Sequence, residues 1–322
     1  MVPQIVKALD RDMKKIPIIF TFDENLSFPA AVCISSLMQY ASDETFYDIY
    51  VLHSGEPPKI TGLDRITAAY SNMSVQYRSV GNAFSTAYEI RGITKAAYYR
   101  LLAATLIPEY NKAIYADVDT LFRMDLSGLY DIELQGNYMG AVYAQSINTS
   151  AQGQKYLKSI GLTPGDYFCS GLLLMDLNNI RKDNLTEEFI KLANDNYKYQ
   201  DQDIINIVCK SKILSLPYVY HMAIPAFEAV SKQLDILGTK YYVLPFDVNP
   251  LVYSNIHYNG AKPWNDWCPN LDQWWECYRK SPIYDPSIYF TFFNSRLEYL
   301  DQISLLKRIK ILLRFFVYGR KK

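Results

Sequence analysis

The sequence predicts an α/β domain with a mainly parallel central sheet, followed by a helical C-terminal extension. Three observations predict it. Apolar strand-like runs alternate with stretches of helical spacing. The opening strand-helix-strand unit repeats, which builds a parallel sheet covered on both faces. From Trp264 the composition shifts to Trp267, Trp274, Trp275 and several prolines. Residues 16–22 read as the first strand. Residues 28–40 have helical spacing, with Val32, Leu37 and Met38 at apolar positions and Pro29 acceptable near the start. Strands follow at 47–52, 75–79 and 113–116, separated by helices at 63–70 and 94–107. Residues 171–176 form a further buried strand, 185–194 a helix, and 213–216 a short strand. Asp201-Gln202-Asp203 reads as the cap of a helix over 204–210. Ligands bind such sheets beyond the carboxyl ends of the strands. Asp23, Glu24 and Asn25 after the first strand therefore belong on one edge with Asp117 and Asp119 after the fourth.

The 322 residues, 49% of them apolar, suffice for one large domain with an appendage. Formal net charge is zero and exerts no pull toward nucleic acid. The charge is uneven, however. No acid follows Asp301, whereas Lys307, Arg308, Lys310, Arg314, Arg320, Lys321 and Lys322 do. The five cysteines form no Cys-X-X-Cys pair, which suits free thiols in a reducing cytosol. Residues 1–15 are charged and lack the apolar segment of a signal peptide. No apolar run reaches the roughly 18 residues a spanning helix needs. Most of the 28 tyrosines are expected to be packing residues.

Ala116-Asp117-Val118-Asp119-Thr120 is the most informative stretch. It closes an apolar run, so two carboxylates project together at a strand terminus. Such a pair repels itself unless a cation sits between them. A hard divalent metal is the natural occupant, and a phosphate its natural further ligand. Taken alone, the pair could equally cap a loop. His257 is one of three histidines and leads into Gly260, which lets backbone approach a ligand, and Lys262, which can neutralise phosphate. An imidazole with two carboxylates suits a Mn²⁺-type ion. His53 and His221 have no such company in sequence.

With these residues in view, the chain resembles the bacterial glycosyltransferase family 8 enzymes, retaining α-glycosyltransferases that build lipopolysaccharide and related surface glycans. The likeness runs from about residue 16 to residue 264. It rests on Thr21-Phe22-Asp23-Glu24-Asn25, Tyr98-Tyr99-Arg100, Tyr115 to Thr120, Ser170 to Asp176, Tyr199 to Asp203 and His257 to Trp264. The resemblance implies a GT-A-like nucleotide-binding domain over residues 16–265, after an N-terminal extension over 1–15. It also implies a Mn²⁺ ion, with Mg²⁺ as the alternative, held by Asp117, Asp119 and His257 on the diphosphate of a UDP-sugar. Thr21, Asp23 and Asn25 would contact the uridine. Arg100 and Val118 would lie near nucleotide and sugar, and Asn259, Gly260 and Lys262 would grip the diphosphate. Asp201 would hold the donor sugar, and Gln202 would sit below the anomeric carbon.

The chain departs from the family at three points. Cys169 stands where the family usually has Asn, and a thiol makes fewer hydrogen bonds, which bears on donor preference. One residue separates Gly260 from Lys262 where the family often has two. Ala144 replaces an acid that many relatives turn toward the acceptor. In the tail, residues 266–322, Leu305, Leu306, Ile309, Leu312, Leu313, Phe316 and Val317 share one side of a helical wheel. Lys307, Arg308, Lys310 and Arg314 take the other side, with Ile311 an exception, the pattern of an interfacial helix on an anionic membrane. The expectation is a cytoplasmic enzyme peripheral to the inner face of a bacterial plasma membrane. It would move glucose or galactose from a UDP-sugar to a lipopolysaccharide or other glycan acceptor. A sugar nucleotidyltransferase would favour a glycine-rich loop after the first strand, and 21–25 has no glycine. The remaining rival is an inert nucleotide-sugar or glycan-binding assembly protein, which would bind without turnover.

Overall fold

The computed structural model describes residues 13–89, 94–223 and 253–318. The N-terminal segment 1–12 and the basic residues Arg320, Lys321 and Lys322 lie outside them. The main sheet contains β1 Lys14–Thr21, β2 Thr45–His53, β3 Met73–Ser79 and β4 Lys112–Ala116. A small strand, β5 Thr120–Leu121, follows β4 directly. The main sheet is completed by β6 Met139–Tyr143, β7 Phe168–Asp176 and β8 Ile213–Leu216. Its order is β3-β2-β1-β4-β7-β6-β8. The β3-β2-β1-β4 half is parallel, as is the β6-β8 pair. β7 alone runs against both of its neighbours.

That reversal positions the site. β7 enters the sheet where β4 leaves it, so the start of β7 lies beside the end of β4. Ala116 pairs with Leu172, and the Asp117 N–H donates to the Gly171 carbonyl at 2.9 Å. A second sheet, ordered β5-β10-β9, is built from β5, β9 Met222–Ala223 and β10 Ile256–His257.

The central strands β1 and β4 are buried along nearly their whole length, as strands inside a parallel sheet are, whereas the edge strand β3 is half-buried and mixed in polarity. Ten consecutive residues of the helix Ser27–Gln39, Pro29 through Met38, are buried. A helix apolar all round must be enclosed. On its outer side Phe28 meets Trp274 and Tyr278 edge-on, with centroids 5.6 and 5.1 Å away. Gln39 reinforces the contact by donating to the Cys277 carbonyl at 3.2 Å. The tryptophan-rich helix Leu271–Lys280 is therefore part of the α/β unit, with Trp274 and Trp275 buried.

The chain divides into one compact unit ending at Ile283 and a second beginning at Tyr284. The sequence-based boundary falls earlier, at 265/266, because composition changes there while packing does not. The second unit consists of helices Pro286–Asp301 and Leu305–Tyr318. It exposes Leu305, Leu306, Ile309, Ile311, Leu312, Leu313 and Phe316. No helix among the described residues is long and apolar enough to cross a membrane.

Two local expectations differ from the structure. The predicted helix over 94–107 is three short pieces, Ala96–Tyr99, Arg100–Leu102 and Ala103–Leu106. The helix expected over 204–210 starts earlier, at Gln200, so Asp201 and Asp203 lie in its first turn and do not cap it. Tyr199 holds the cap position, and its N–H is the one Asp203 accepts, at 2.7 Å.

Candidate active site

β4 ends at Ala116, and Asp117 to Thr120 form a tight turn into β5, closed by Thr120 N–H donating to the Asp117 carbonyl at 3.1 Å. The two carboxylates therefore meet through a turn and not through strand alternation. β10 lies antiparallel to β5 with His257 opposite Thr120, and the Tyr258 N–H donates to the Asp119 carbonyl at 3.0 Å. This pairing delivers the imidazole to the carboxylates.

Each of the two carboxylates has one oxygen already engaged and the other turned toward His257. Asp117 Oδ1 accepts from Arg100 Nη2 at 2.8 Å and from the Tyr115 hydroxyl at 2.6 Å. Its Oδ2 faces His257 Nε2 at 3.7 Å. Asp119 Oδ2 is ion-paired with Lys262, while Oδ1 lies 3.1 Å from the same His257 nitrogen. One ligand atom from each of Asp117, Asp119 and His257 falls within 4.8 Å of the others. Asp119 Oδ1 and His257 Nδ1 are buried and make no hydrogen bond. Two carboxylates and an imidazole on so small a triangle fit a Mn²⁺-type divalent cation.

Burial would push the Asp119 carboxyl up, but His257 and Lys262 outweigh it and hold the group well below the usual carboxylate range. Arg100 is likewise buried, which disfavours its charge. Asp117 and Asp201, with the Tyr115 ring 4.0 Å below its guanidinium, raise its pKa regardless. The same guanidinium donates to the Ser170 carbonyl at 2.7 Å and lies 3.3 Å from Asp201. Arg100 thus ties the turn after β4 to the start of β7 and to the helix Gln200–Val208.

Asp201 is buried, and this pushes its carboxyl up to about 6, with Arg100 opposing the shift and Asp117 adding to it. Gln202 follows in the same first turn of the helix. Its Oε1 accepts from the Ser170 N–H at 3.2 Å. Gln200 launches this turn with φ +47°, a left-handed conformation that costs a non-glycine residue energy and is typical of constrained sites.

The remaining predicted residues divide. Thr21, at the end of β1, is buried with its hydroxyl 3.0 Å from that of Tyr115, so β1 and β4 do share an edge. Asp23 accepts from the Asn25 N–H at 3.0 Å, and Asn25 is exposed. Val118 is buried between the two aspartates. Lys262 folds back to donate to the Tyr258 carbonyl at 2.6 Å as well as to Asp119. Asn259 and Gly260 are exposed between His257 and Lys262.

Sequence reasoning gave no individual role at the centre to four of its neighbours. Tyr115 buttresses Asp117, and the Ser170 carbonyl anchors Arg100. His221 packs against His257 with ring centroids 4.3 Å apart, and burial holds it neutral. Gly171 leaves the room these groups occupy. A Cβ there would lie 2.7 Å from His221 Nε2, 2.8 Å from His257 Cε1 and 3.0 Å from Asp117 Oδ2. The scarcity of histidine was the signal available for His221. Cys169 precedes Ser170 half-buried, its thiol pushed up to about 12 by burial and by Asp117.

Comparison with known proteins agrees with this geometry. The family model for glycosyl transferase family 8 matches residues 17–268. A putative glycosyltransferase of Haemophilus influenzae is 33% identical over 184 residues, covering 56% of this chain and 52% of that protein. The lipopolysaccharide 1,2-glucosyltransferase of Escherichia coli is 25% identical over 269 residues, covering 81% of this chain and 77% of that one. Among solved structures, the galactosyltransferase LgtC in complex with donor and acceptor sugar analogues superposes with a TM-score of 0.65 at 25% identity. That match covers 81% of this chain and 95% of LgtC. On the extent of the family match, and on the fold it shares with a sugar-transferring enzyme, the chain belongs to glycosyl transferase family 8.

Proposed function

We propose that this protein is a metal-dependent retaining hexosyltransferase. It moves glucose or galactose from a UDP-sugar to a lipopolysaccharide or other surface-glycan acceptor. The observation that carries the reading is the triangle of Asp117, Asp119 and His257 with Lys262 beside it. The names of the E. coli glucosyltransferase and of LgtC support the choice of hexose and acceptor class.

A cation held by Asp117, Asp119 and His257, of which Mn²⁺ fits the donor set best, supplies Lewis-acid neutralisation of the departing diphosphate. Lys262, with Asn259 and Gly260, binds the diphosphate and adds a second positive charge to it. Thr21, Asp23 and Asn25, at the end of β1, bind the uridine, and Val118 packs beside it. Arg100 holds Asp117 and Asp201 in place around the donor sugar. As the sugar–phosphate bond breaks, positive charge develops at the anomeric carbon. Asp201 and the Gln202 carbonyl oxygen are the groups positioned to ease it. The acceptor oxygen forms the new bond from the face the diphosphate leaves, and its proton passes to the leaving phosphate.

The exposed apolar and basic residues of the helix Leu305–Tyr318 bind the enzyme to an anionic membrane, where a lipid-linked acceptor resides. Each basic residue near such a surface contributes about 1 kcal/mol. Truncation before Leu305 should abolish sedimentation with phosphatidylglycerol vesicles, and unchanged sedimentation would refute the attachment. The activity is tested by UDP release from a panel of UDP-sugars with Mn²⁺, comparing wild type with Asp119→Ala. Metal-dependent release from one donor, lost in the variant, establishes the reaction and its donor. Silence that persists with added glycolipid acceptor refutes it.

A further inference from the structure

We propose that Tyr167 and Asp203 are positioning residues that fix which way round the Gln202 side-chain amide lies, an inference that rests on the transferase reading above. The amide has a carbonyl end and an NH₂ end of nearly the same shape, and only the carbonyl end can ease positive charge. Packing alone does not choose between them, so hydrogen bonds must.

The choice follows from groups whose roles are forced. The Tyr199 backbone N–H can only donate, and it does so to Asp203 Oδ2 at 2.7 Å, where the Tyr156 hydroxyl also arrives at 2.5 Å. The Tyr167 hydroxyl donates to the other oxygen, Oδ1, at 2.5 Å. Tyr167 has one proton, and the carboxylate takes it. Its oxygen is then purely an acceptor toward Gln202, whose Nε2 lies 3.0 Å away. The NH₂ end of the amide is thereby drawn toward fully buried Tyr167, and the carbonyl end toward Ser170, beside Arg100. The Ser170 N–H, another obligate donor, meets that carbonyl. Asn206 holds the frame by bonding both the N–H and the carbonyl of Phe168, at 2.8 and 2.9 Å. Asp203 is fully buried on the far side of the helix from Asp201, so its work is done through this relay.

The relay makes a specific prediction for Asp203→Asn. The Tyr199 N–H demands the asparagine oxygen at the Oδ2 position, which places the asparagine NH₂ against Tyr167. The tyrosine then loses its acceptor and turns its proton toward Gln202, opposing the NH₂ end. Asp203→Asn should lower kcat about 100-fold with the donor KM within about threefold. Tyr167→Phe removes the acceptor without supplying a wrong donor, and should lower kcat about 3–10-fold, the worth of one neutral hydrogen bond. Combining the two removes the misdirected proton, so the double variant should recover to the level of Tyr167→Phe. A double variant as slow as Asp203→Asn, or slower, overturns the proposal, as does full activity in Asp203→Asn.

A second readout stands apart from turnover. The Gln202 side-chain amide resonance, assigned by its loss in Gln202→Glu, should be protected from solvent exchange in wild type and lose that protection in Tyr167→Phe. An unchanged signal overturns the proposal even where Asp203→Asn fails to fold. Wild type that releases no UDP from any donor overturns the transferase reading instead, and leaves the amide's orientation to be judged by this signal.

Discussion

Two Asp-X-Asp triplets meet at Arg100 and use the same spacing in opposite ways. Asp117-Val118-Asp119 occupies a tight turn between β4 and β5, so both carboxylates bend toward His257. Asp201-Gln202-Asp203 occupies the first turn of a helix, where residues two apart point about 200° away from each other. Asp201 therefore faces Arg100, and Asp203 faces Tyr156 and Tyr167 on the other side. The first triplet concentrates charge at one point. The second presents one carboxylate, one amide and one internal anchor to three different surroundings. Spacing becomes chemistry only through the backbone that carries it.

The largest effect expected from breaking the comparison is at the turn. Asp117→Ala or Asp119→Ala removes a ligand from a three-ligand centre, and kcat/KM should fall about 1,000-fold or more. Metal titration by calorimetry should show the loss directly. Retained metal binding in both variants would mean that the turn does not hold the cation. Lys262→Met comes next. It removes the positive charge paired with Asp119, and kcat/KM should fall about 100-fold. Steady-state kinetics at saturating Mn²⁺ checks this, because a loss that added metal repaired would assign Lys262 to metal binding alone.

Most of the parallel half of the fold was legible in the sequence, because its inner strands β1 and β4 carry short apolar runs set between stretches of helical spacing. The strand at 171–176 was legible as a strand, but its direction was not. Nothing local to a fully buried strand reports whether it runs with or against its neighbours. That direction is what sets Ser170 and Gly171 beside Asp117, so neither could be given a role at the centre from sequence, and nor could His221. Asp117, Asp119 and His257 could be brought together on paper because carboxylate and imidazole side chains narrow the chemistry. The turn that unites them could not, since a strand end and a turn give the same prediction for two carboxylates. The early start of the helix at Gln200 was hidden by its left-handed φ, which no propensity favours for glutamine.

The helical triplet can be probed through its proton. Burial pushes the Asp201 carboxyl from an ordinary 3.8 up to about 6. The folded state thus binds this proton more tightly than the unfolded chain does. The associated stability is complete below the unfolded value and is lost as pH rises through about 6. Asp201→Asn does not titrate, so its stability relative to wild type should improve as pH rises across that window. The linkage is on the order of 3 kcal/mol, and the lost pairing with Arg100 shifts the whole difference by a constant without changing its slope. Thermal melts from about pH 4 to pH 7.5 should show the variant gaining several degrees on wild type. A difference that stays flat would place the Asp201 carboxyl in its ordinary range.

The mildest change separates the two triplets most cleanly. Gly171→Ala adds one methyl group to β7, in a gap bounded by His221, His257 and Asp117, with approach distances of 2.7, 2.8 and 3.0 Å. Those distances are shorter than carbon contacts tolerate, so the rings must shift. His221 is fully buried and His257 nearly so. The displacement should fall on the His257 ligand and lower metal affinity about 10-fold, as disturbed ligand orientation does. Neither Asp201 nor Gln202 supplies one of the three atoms nearest that methyl group, so turnover at saturating metal should stay within about threefold of wild type. A calorimetric Kd for Mn²⁺ beside kcat at high Mn²⁺ distinguishes the cases. Loss of kcat with intact metal affinity would mean that the methyl group acts on the sugar side, through Ser170 and Gln202.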